Sequence, residues 1–78
     1  MKTVSLNKAP LGQLCQILGY NSPNKEGMYR LFELGLTKGS CLTILRKSHH
    51  FGSIEVALEQ SRLCIDMDLA SVFLVVTK

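Results

Sequence analysis

The pair His49-His50, followed by Phe51, is the part of this sequence best suited to metal chemistry. Imidazole nitrogens bind transition metals, but a stable site needs further ligands that converge on the ion. Adjacent side chains of an extended chain point in opposite directions, and Glu55 is the only acidic residue nearby. The sequence therefore predicts no metal ion and no other cofactor. His49, His50 and Phe51 remain candidates for contact with a partner.

Catalytic patterns are weak in this chain. No serine, histidine and acid are spaced as a nucleophilic triad, and the phosphate-binding pattern Gly-x-x-x-x-Gly-Lys-Ser/Thr is absent. Asp66 and Asp68 precede a short apolar segment and are predicted to cap a single helical turn rather than to form a catalytic pair. We therefore expect a protein that is not an enzyme.

The three cysteines, Cys15, Cys41 and Cys64, are too far apart to form a Cys-x-x-Cys zinc pair. Their odd number also differs from the even count of a secreted disulfide framework. Because each lies in an apolar segment, all three are predicted to be reduced thiols packed in the interior. Free thiols of this kind are typical of the cytoplasm.

Length, charge and hydropathy limit the remaining classes. With 78 residues, the chain is expected to form one domain, residues 1–78. Its net charge of +3 comes from scattered basic residues, which does not favour nucleic-acid binding. The longest apolar run, Val72 to Val76, is far shorter than the about 20 residues of a membrane-spanning helix. We therefore expect a cytoplasmic protein that binds no nucleic acid and does not insert into membranes.

One helix is predicted over Lys25 to Leu34. Met28 and Leu31 lie on its buried face, and Gly35 is placed to end it in the left-handed conformation. Ser22 or Asn24 is predicted to cap its start. Ser5 is likewise predicted to cap a short helical turn that Leu6 anchors and that ends before Pro10.

Five short strands are predicted from alternating apolar residues, over 13–18, 41–46, 54–59, 62–65 and 72–76. The first, with apolar residues on both faces, is expected to be covered on both sides, at least in part. Exposed sheet edges favour aggregation, so we expect these strands to curl into a small barrel. The predicted core consists of Ile17, Leu31, Phe32, Leu42, Ile44, Ile54, Val56, Leu58, Leu63, Ile65, Leu69 and Val75.

The run from Tyr29 to Gly39, with its Arg-Leu-x-x-Leu-Gly-Leu-x-x-Gly pattern, resembles the signature of the ferrous iron transport protein A (FeoA) family. The segments 52–56 and 62–65 resemble the family's later hairpin and its Arg-Leu-x-Leu step. Lys38 stands where the family usually has proline, and His49-His50-Phe51 replaces an apolar-Pro-Leu sequence. The resemblance covers residues 6–76 and implies a mainly β fold: a small SH3-like five-stranded β-barrel with one inserted α-helix and short helical turns.

The resemblance also implies a function. Family members are small cytoplasmic proteins that are thought to act with FeoB, the membrane ferrous iron transporter that carries a GTP-binding domain. The implied role is a protein-binding module that supports or regulates iron uptake. The alternative is a stand-alone regulatory domain, similar to the last domain of iron-dependent repressors, that binds another protein or a metal. Weak self-association is a further expectation.

A contact surface is predicted on the outer face of the helix. Tyr29, Arg30 and Glu33 point away from the predicted core, and Lys38 follows in the next turn. Tyrosine and arginine are enriched among the residues that dominate binding energy at interfaces. An ordinary solvated helix face explains the same pattern equally well.

Overall fold

Antiparallel strands form most of the chain in this computed structural model, which describes residues 3–21 and 25–78. All five predicted strands are present, and the predicted mainly β fold is confirmed. A sixth strand of three residues at the start of the chain was not predicted. In chain order the elements are β1 (Thr3–Ser5), a 3-10 turn (Leu6–Lys8), β2 (Leu14–Tyr20), α1 (Lys25–Glu33), β3 (Cys41–Ser48), β4 (Ser53–Ala57), β5 (Arg62–Asp66), α2 (Met67–Ala70) and β6 (Phe73–Thr77).

The six strands form one sheet in the order β1-β6-β2-β3-β4-β5, with every neighbouring pair antiparallel. The register shifts between Ile17 and Gly19 in β2 and between Ile44 and Arg46 in β3. Such irregularities bend a strand and increase its twist. The short helix α2 contacts β4, β5 and the 3-10 turn, so it connects the two ends of the bent sheet.

The inner face of the sheet closes over one hydrophobic core. The predicted core is confirmed as a region: its members are either fully buried or half-buried against the others. Cys15 and Met28, which were predicted to face the interior, are also fully buried. The prediction of the core left out further fully buried residues, namely Leu6, Ala9, Leu36, Ala70 and Phe73. The 3-10 turn, which carries Leu6, contacts α2 and β6, and β6 carries Phe73. These contacts join the two ends of the sequence.

The outer face of β2 is only partly covered, as the prediction of cover on both sides, at least in part, allows. Cys15 and Ile17 are buried, whereas Leu14 and Leu18 are 48% and 40% exposed. Within residues 3–21 and 25–78, helix α1 buries Met28 and Leu31 in the interior rather than against Leu14 and Leu18. Apolar side chains therefore remain on the outer surface.

Helix α1 agrees with its prediction to within one residue. It covers Lys25–Glu33 and is followed by Gly35, whose φ is 107°. The predicted caps Ser22 and Asn24 lie outside the described residues.

Two other predicted caps are placed correctly but do not cap through their side chains. Ser5 precedes the 3-10 turn and Asp66 precedes α2, both in extended conformation, yet neither side chain makes a capping hydrogen bond. Both turns follow directly from a strand and contact each other. Packing rather than side-chain capping accordingly holds these short helical segments.

Candidate partner-binding surfaces

The outer face of α1 carries three of the predicted contact residues. Tyr29, Arg30 and Glu33 are exposed, and Tyr29 shows 57% of its surface to solvent. Met28 and Leu31, one helical turn apart, are buried on the opposite side. The helix therefore holds an aromatic ring, a guanidinium and a carboxylate together on one solvent-facing surface, which we call the α1 surface.

Tyr29 is connected to the core through a chain of aromatic rings. Its ring packs edge-on against Phe32 with centroids 6.2 Å apart, and Phe32 lies 4.9 Å from Tyr20. Tyr20 in turn lies 6.4 Å from the fully buried Phe73. Aromatic pairs at these distances attract each other. The Tyr29 side chain is therefore exposed to solvent, but its ring also packs against Phe32. The sequence did not indicate that Tyr20, from β2, takes part.

Lys38 lies at the tip of the turn between α1 and β3. The turn is held by a 2.9 Å hydrogen bond between the hydroxyls of Thr37 and Ser40. The N–H of Gly39 donates to the carbonyl of Ile17 in β2, at 2.7 Å. Gly39 has a φ of 92°, a conformation that favours glycine. The Lys38 ammonium is thus presented on a turn whose backbone is fixed against the sheet.

The His49-His50-Phe51 segment forms the turn between β3 and β4, and all three side chains are exposed. Phe51 is 77% exposed, its N–H donates to Ser48 Oγ, and its ring meets His50 edge-on with centroids 4.8 Å apart. This turn and Lys38 lie at opposite ends of β3, whose length is roughly 25 Å at about 3.3 Å per residue. The predicted contact residues therefore form two separate surfaces.

Metal ligands do not gather around these histidines. Within residues 3–21 and 25–78, no three His, Cys, Asp or Glu side chains form a group that fits a metal ion. His49 and His50 are consecutive residues of an exposed turn, so they lack the surrounding donor groups that a firm site needs.

A cleft of about 350 Å³ lies beside Phe51 on the outer face of β3, β4 and β5. Arg46, Glu55 and Cys64 follow one another across these three strands. Arg46 Nε lies 3.8 Å from Glu55 Oε1, with the arginine side chain 80% exposed. Sequence reasoning missed this cleft, because only the strand register places the three side chains in a row.

A second cleft, of about 290 Å³, lies at the end of α1. Its walls include Leu34, Cys41 and Leu58, and Leu34 is 44% exposed. It adjoins a further cleft of about 480 Å³ that reaches Leu14 on β2. The alternation of apolar and polar residues within single strands did not predict these exposed apolar side chains.

Two of the three cysteines contradict their prediction. Cys15 is buried, and burial raises the pKa of its thiol. Cys41 and Cys64 are exposed on the outer face of the sheet. The prediction failed because it relied on the apolar neighbours of these residues. In a strand, the side chains next to a buried residue point to the other face.

No helix in the described part of the chain is long and apolar enough to span a membrane.

Two groups of solved structures are similar in fold to this chain. A crystal structure described as iron uptake regulatory protein (FeoA) matches with a TM-score of 0.83 and 23% identity, covering 100% of both chains. The NMR structure of a FeoA-like protein from Clostridium acetobutylicum gives a TM-score of 0.81 at 19% identity, covering 99% of this chain and 88% of that one.

The second group consists of metal-dependent repressors. A manganese-dependent transcriptional repressor in complex with manganese matches with a TM-score of 0.90 and 16% identity. The match covers 100% of this chain but only 38% of the repressor. The fold of this chain is therefore that of an SH3-like domain that also occurs as part of a longer protein.

No curated protein is similar enough in sequence to match this chain. The family model described as "FeoA domain" matches residues 4–76, nearly the whole sequence. The resemblance noted in the run from Tyr29 to Gly39 is thereby confirmed, and the chain belongs to the FeoA domain family.

Proposed function

We propose that this chain is a cytoplasmic accessory protein of ferrous iron uptake, which binds the transporter FeoB and supports or regulates its GTP-dependent activity. Membership of the FeoA domain family and the likeness to a protein described as an iron uptake regulator support this proposal. The role is recognition of another protein rather than catalysis, which suits a small fold whose core is filled by apolar side chains.

The α1 surface is the proposed main contact, and the exposure of Tyr29 beside Arg30 is the observation that carries it. Tyr29 is 57% exposed, although its ring rests on Phe32. A side chain that is already ordered loses little conformational entropy when it binds, so more of its contact energy appears as affinity. Arg30 and Glu33 add charges of both signs, and Lys38 adds a further positive charge at the rim.

The turn of His49, His50 and Phe51 is a second, separate contact in this proposal. Phe51 is the most exposed large apolar side chain in the described part of the protein, at 77%. Because it lies at the far end of β3, it can touch a different part of the transporter or a different protein. Its contribution is therefore tested independently of the α1 surface.

Co-purification with the full-length transporter, with and without guanine nucleotide, tests the proposal. The Tyr29→Ala/Arg30→Glu variant should bind about tenfold more weakly or worse, as expected when an aromatic and an arginine anchor are lost together. Lys8→Glu is the matched control, because Lys8 is an exposed basic residue on the 3-10 turn, which contacts α2 and β6. Phe51→Ala measures the second contact.

The outcomes separate the parts of the proposal. No capture of the transporter by the parent protein in either nucleotide state would reject FeoB as the partner. Capture that is equal for the parent and for Tyr29→Ala/Arg30→Glu would reject the α1 surface but not the partner. Loss of binding in Lys8→Glu to the same extent would indicate a general charge effect.

A regulatory domain that acts on a metal-sensing repressor is the second candidate. Its support is the TM-score of 0.90 to part of a manganese-dependent repressor, compared with 0.83 and 0.81 to the two FeoA structures described above. Under this reading, the chain binds the repressor in trans. Capture of a repressor in place of the transporter, in the same co-purification, would favour this candidate.

A further inference from the structure

Strand β5 forms one edge of the sheet. It pairs with β4 on one side, and it is the last strand in the order β1-β6-β2-β3-β4-β5. The other edge, β1, has only three residues, whereas β5 has five. An edge strand of this length presents a row of backbone groups that another strand can pair with.

The hydrogen bonds at the two ends of the β4–β5 hairpin show which backbone groups point outward. Leu58 N–H donates to Ser61 at 2.8 Å, and Met67 N–H donates to Gly52 at 2.8 Å. Hydrogen-bonded and non-hydrogen-bonded pairs alternate in an antiparallel ladder. The backbone N–H and C=O groups of Leu63 and Ile65 therefore form hydrogen bonds with β4. The backbone groups of three other residues of β5 face the open edge. Those residues are Arg62, Cys64 and Asp66.

The side chains of the same three residues also lie together. Arg62, Cys64 and Asp66 are all exposed and share the outer face of the sheet, since Leu63 and Ile65 alternate with them and pack inward. Arg62 places a positive charge two residues before Cys64, and Asp66 places a negative charge two residues after it. A strand with this pattern is complementary to an antiparallel copy of itself.

We propose that β5 pairs with β5 of a second copy of this chain, antiparallel and centred on Cys64, to form a symmetric dimer with a continuous sheet. Arg62 of each copy then lies opposite Asp66 of the other. Opposite charges at directly facing positions stabilise a strand pair. The two-fold axis passes between the two Cys64 residues, as an interface built from the same patch on both copies requires.

In the proposed register, most of the backbone groups that face the open edge of β5 form hydrogen bonds with the second copy. The two Cys64 residues exchange two N–H to carbonyl hydrogen bonds. Asp66 N–H of each copy donates to the Arg62 carbonyl of the other. The Asp66 carbonyl is not counted, because the residue before a helix directs its carbonyl into the first turn, here that of α2. Four backbone hydrogen bonds and two ion pairs result.

Other registers are less favourable for physical reasons. A shift by one residue would bring inward-facing backbone groups to the seam and put apolar residues on the wrong face. A shift by two residues would place Arg62 or Asp66 opposite Cys64 and would lose both ion pairs. Arg62 and Asp66 disfavour pairing of this edge with arbitrary strands, as charged residues on edge strands do. They favour one register, in which the paired strand is β5 of a second copy.

Cys64 provides a direct readout of this register. Hydrogen-bonded antiparallel residues have Cα atoms about 5.5 Å apart, within the range that a disulfide spans. The test uses the Cys41→Ser variant, in which Cys64 is the remaining exposed thiol, since Cys15 is buried. Diamide serves as the oxidant and accepts the two electrons and two protons that the thiol pair releases. We expect a disulfide-linked dimer whose yield rises with protein concentration.

Charge reversals at the seam test the register itself. In the proposed dimer, Arg62→Glu alone or Asp66→Arg alone would place like charges at both positions where residue 62 of one copy faces residue 66 of the other. Each single variant should therefore cross-link about tenfold more slowly. The double variant Arg62→Glu/Asp66→Arg restores opposite charges and should restore cross-linking. Glu59→Lys, on the exposed β4–β5 turn, is the control for a change in net charge. Circular dichroism confirms that each variant is folded.

Sedimentation of the reduced proteins gives a readout without covalent bonds. The Cys41→Ser parent and the double reversal should show a concentration-dependent dimer that weakens with salt, whereas both single reversals remain monomers. A parent that stays monomeric at millimolar concentration overturns the proposal. Equal cross-linking in the parent and the single reversals, or a double reversal that fails to recover, overturns it as well. None of these results depends on FeoB.

Discussion

The backbone N–H of Leu36 donates to the carbonyl of Leu31 at 2.9 Å, across the end of α1. Gly35 N–H also donates to Phe32, at 3.0 Å, and the two bonds together form a Schellman motif. Leu31 and Leu36 are both buried in the core. The motif therefore ends the helix, turns the chain and returns it to the interior in two residues.

Gly35→Ala should destabilise the protein by about 1–3 kcal/mol, because an L residue is strained at a φ of 107°. A Cβ there would also meet Leu58 Cδ1 at 3.3 Å. Gly19→Ala is the matched control, since a Cβ added at Gly19 would meet no atom of a non-adjacent residue within 4 Å. Urea denaturation measures both. A loss at Gly35 no larger than at Gly19 would contradict the cap assignment.

Leu6→Ala should lower the free energy of unfolding by about 2–5 kcal/mol, as truncation of a fully buried leucine does. Leu6 is 0% exposed and lies in the 3-10 turn that contacts β6 and α2. The same substitution at Leu11, which is 59% exposed, should change stability by less than about 0.5 kcal/mol. Similar losses at both positions would mean that the 3-10 turn does not seal this end of the core.

Cys15 should differ from the two exposed cysteines in both reactivity and pH dependence. At pH 8, iodoacetamide should modify Cys41 and Cys64 in the folded protein but Cys15 only after unfolding, because the thiolate is the reactive form and the Cys15 thiol is buried. Mass spectrometry of peptides measures each site. Rapid modification of Cys15 in the folded protein would contradict its burial.

The raised pKa of Cys15 also sets the sign of its effect on stability. The folded state holds this proton more tightly than the unfolded state, where the ordinary pKa is 9.0. Its contribution is therefore fully present below pH 9.0 and is lost as pH rises above that value. Cys15→Ala should show a smaller decline in Tm above pH 9 than the parent, and identical declines would refute the assignment.

Metal titration should not distinguish the parent from the His49→Ala/His50→Ala variant. The exposed histidine pair lacks a third protein ligand within the described ranges 3–21 and 25–78. Isothermal titration with Zn²⁺ or Fe²⁺ should give the same weak heats for both proteins. Micromolar binding that disappears in the variant would show a site built on this turn.

Local patterns in the sequence were sufficient for the elements with strong periodicity. Helix α1 and strands β3 to β6 follow alternation or helical spacing, because one face of each must be buried. Strand β1 has only Thr3, Val4 and Ser5, too few residues for a pattern, and it exists through its pairing with β6. The exposed residues of the α1 surface were likewise predictable from the spacing of Met28 and Leu31.

The sequence by itself determined most of the apolar side chains that line the core, where the main helix ends and which family signature the chain carries, since these depend on neighbours within about ten residues. The tertiary structure alone decided how far the outer face of β2 is covered, that the outer faces of β3 and β5, which carry Cys41 and Cys64, are open to solvent, and that β5 is an edge. These properties depend on which strands pair and in what register. Such pairing is set by the closing of the whole sheet around its core, which local periodicity does not encode.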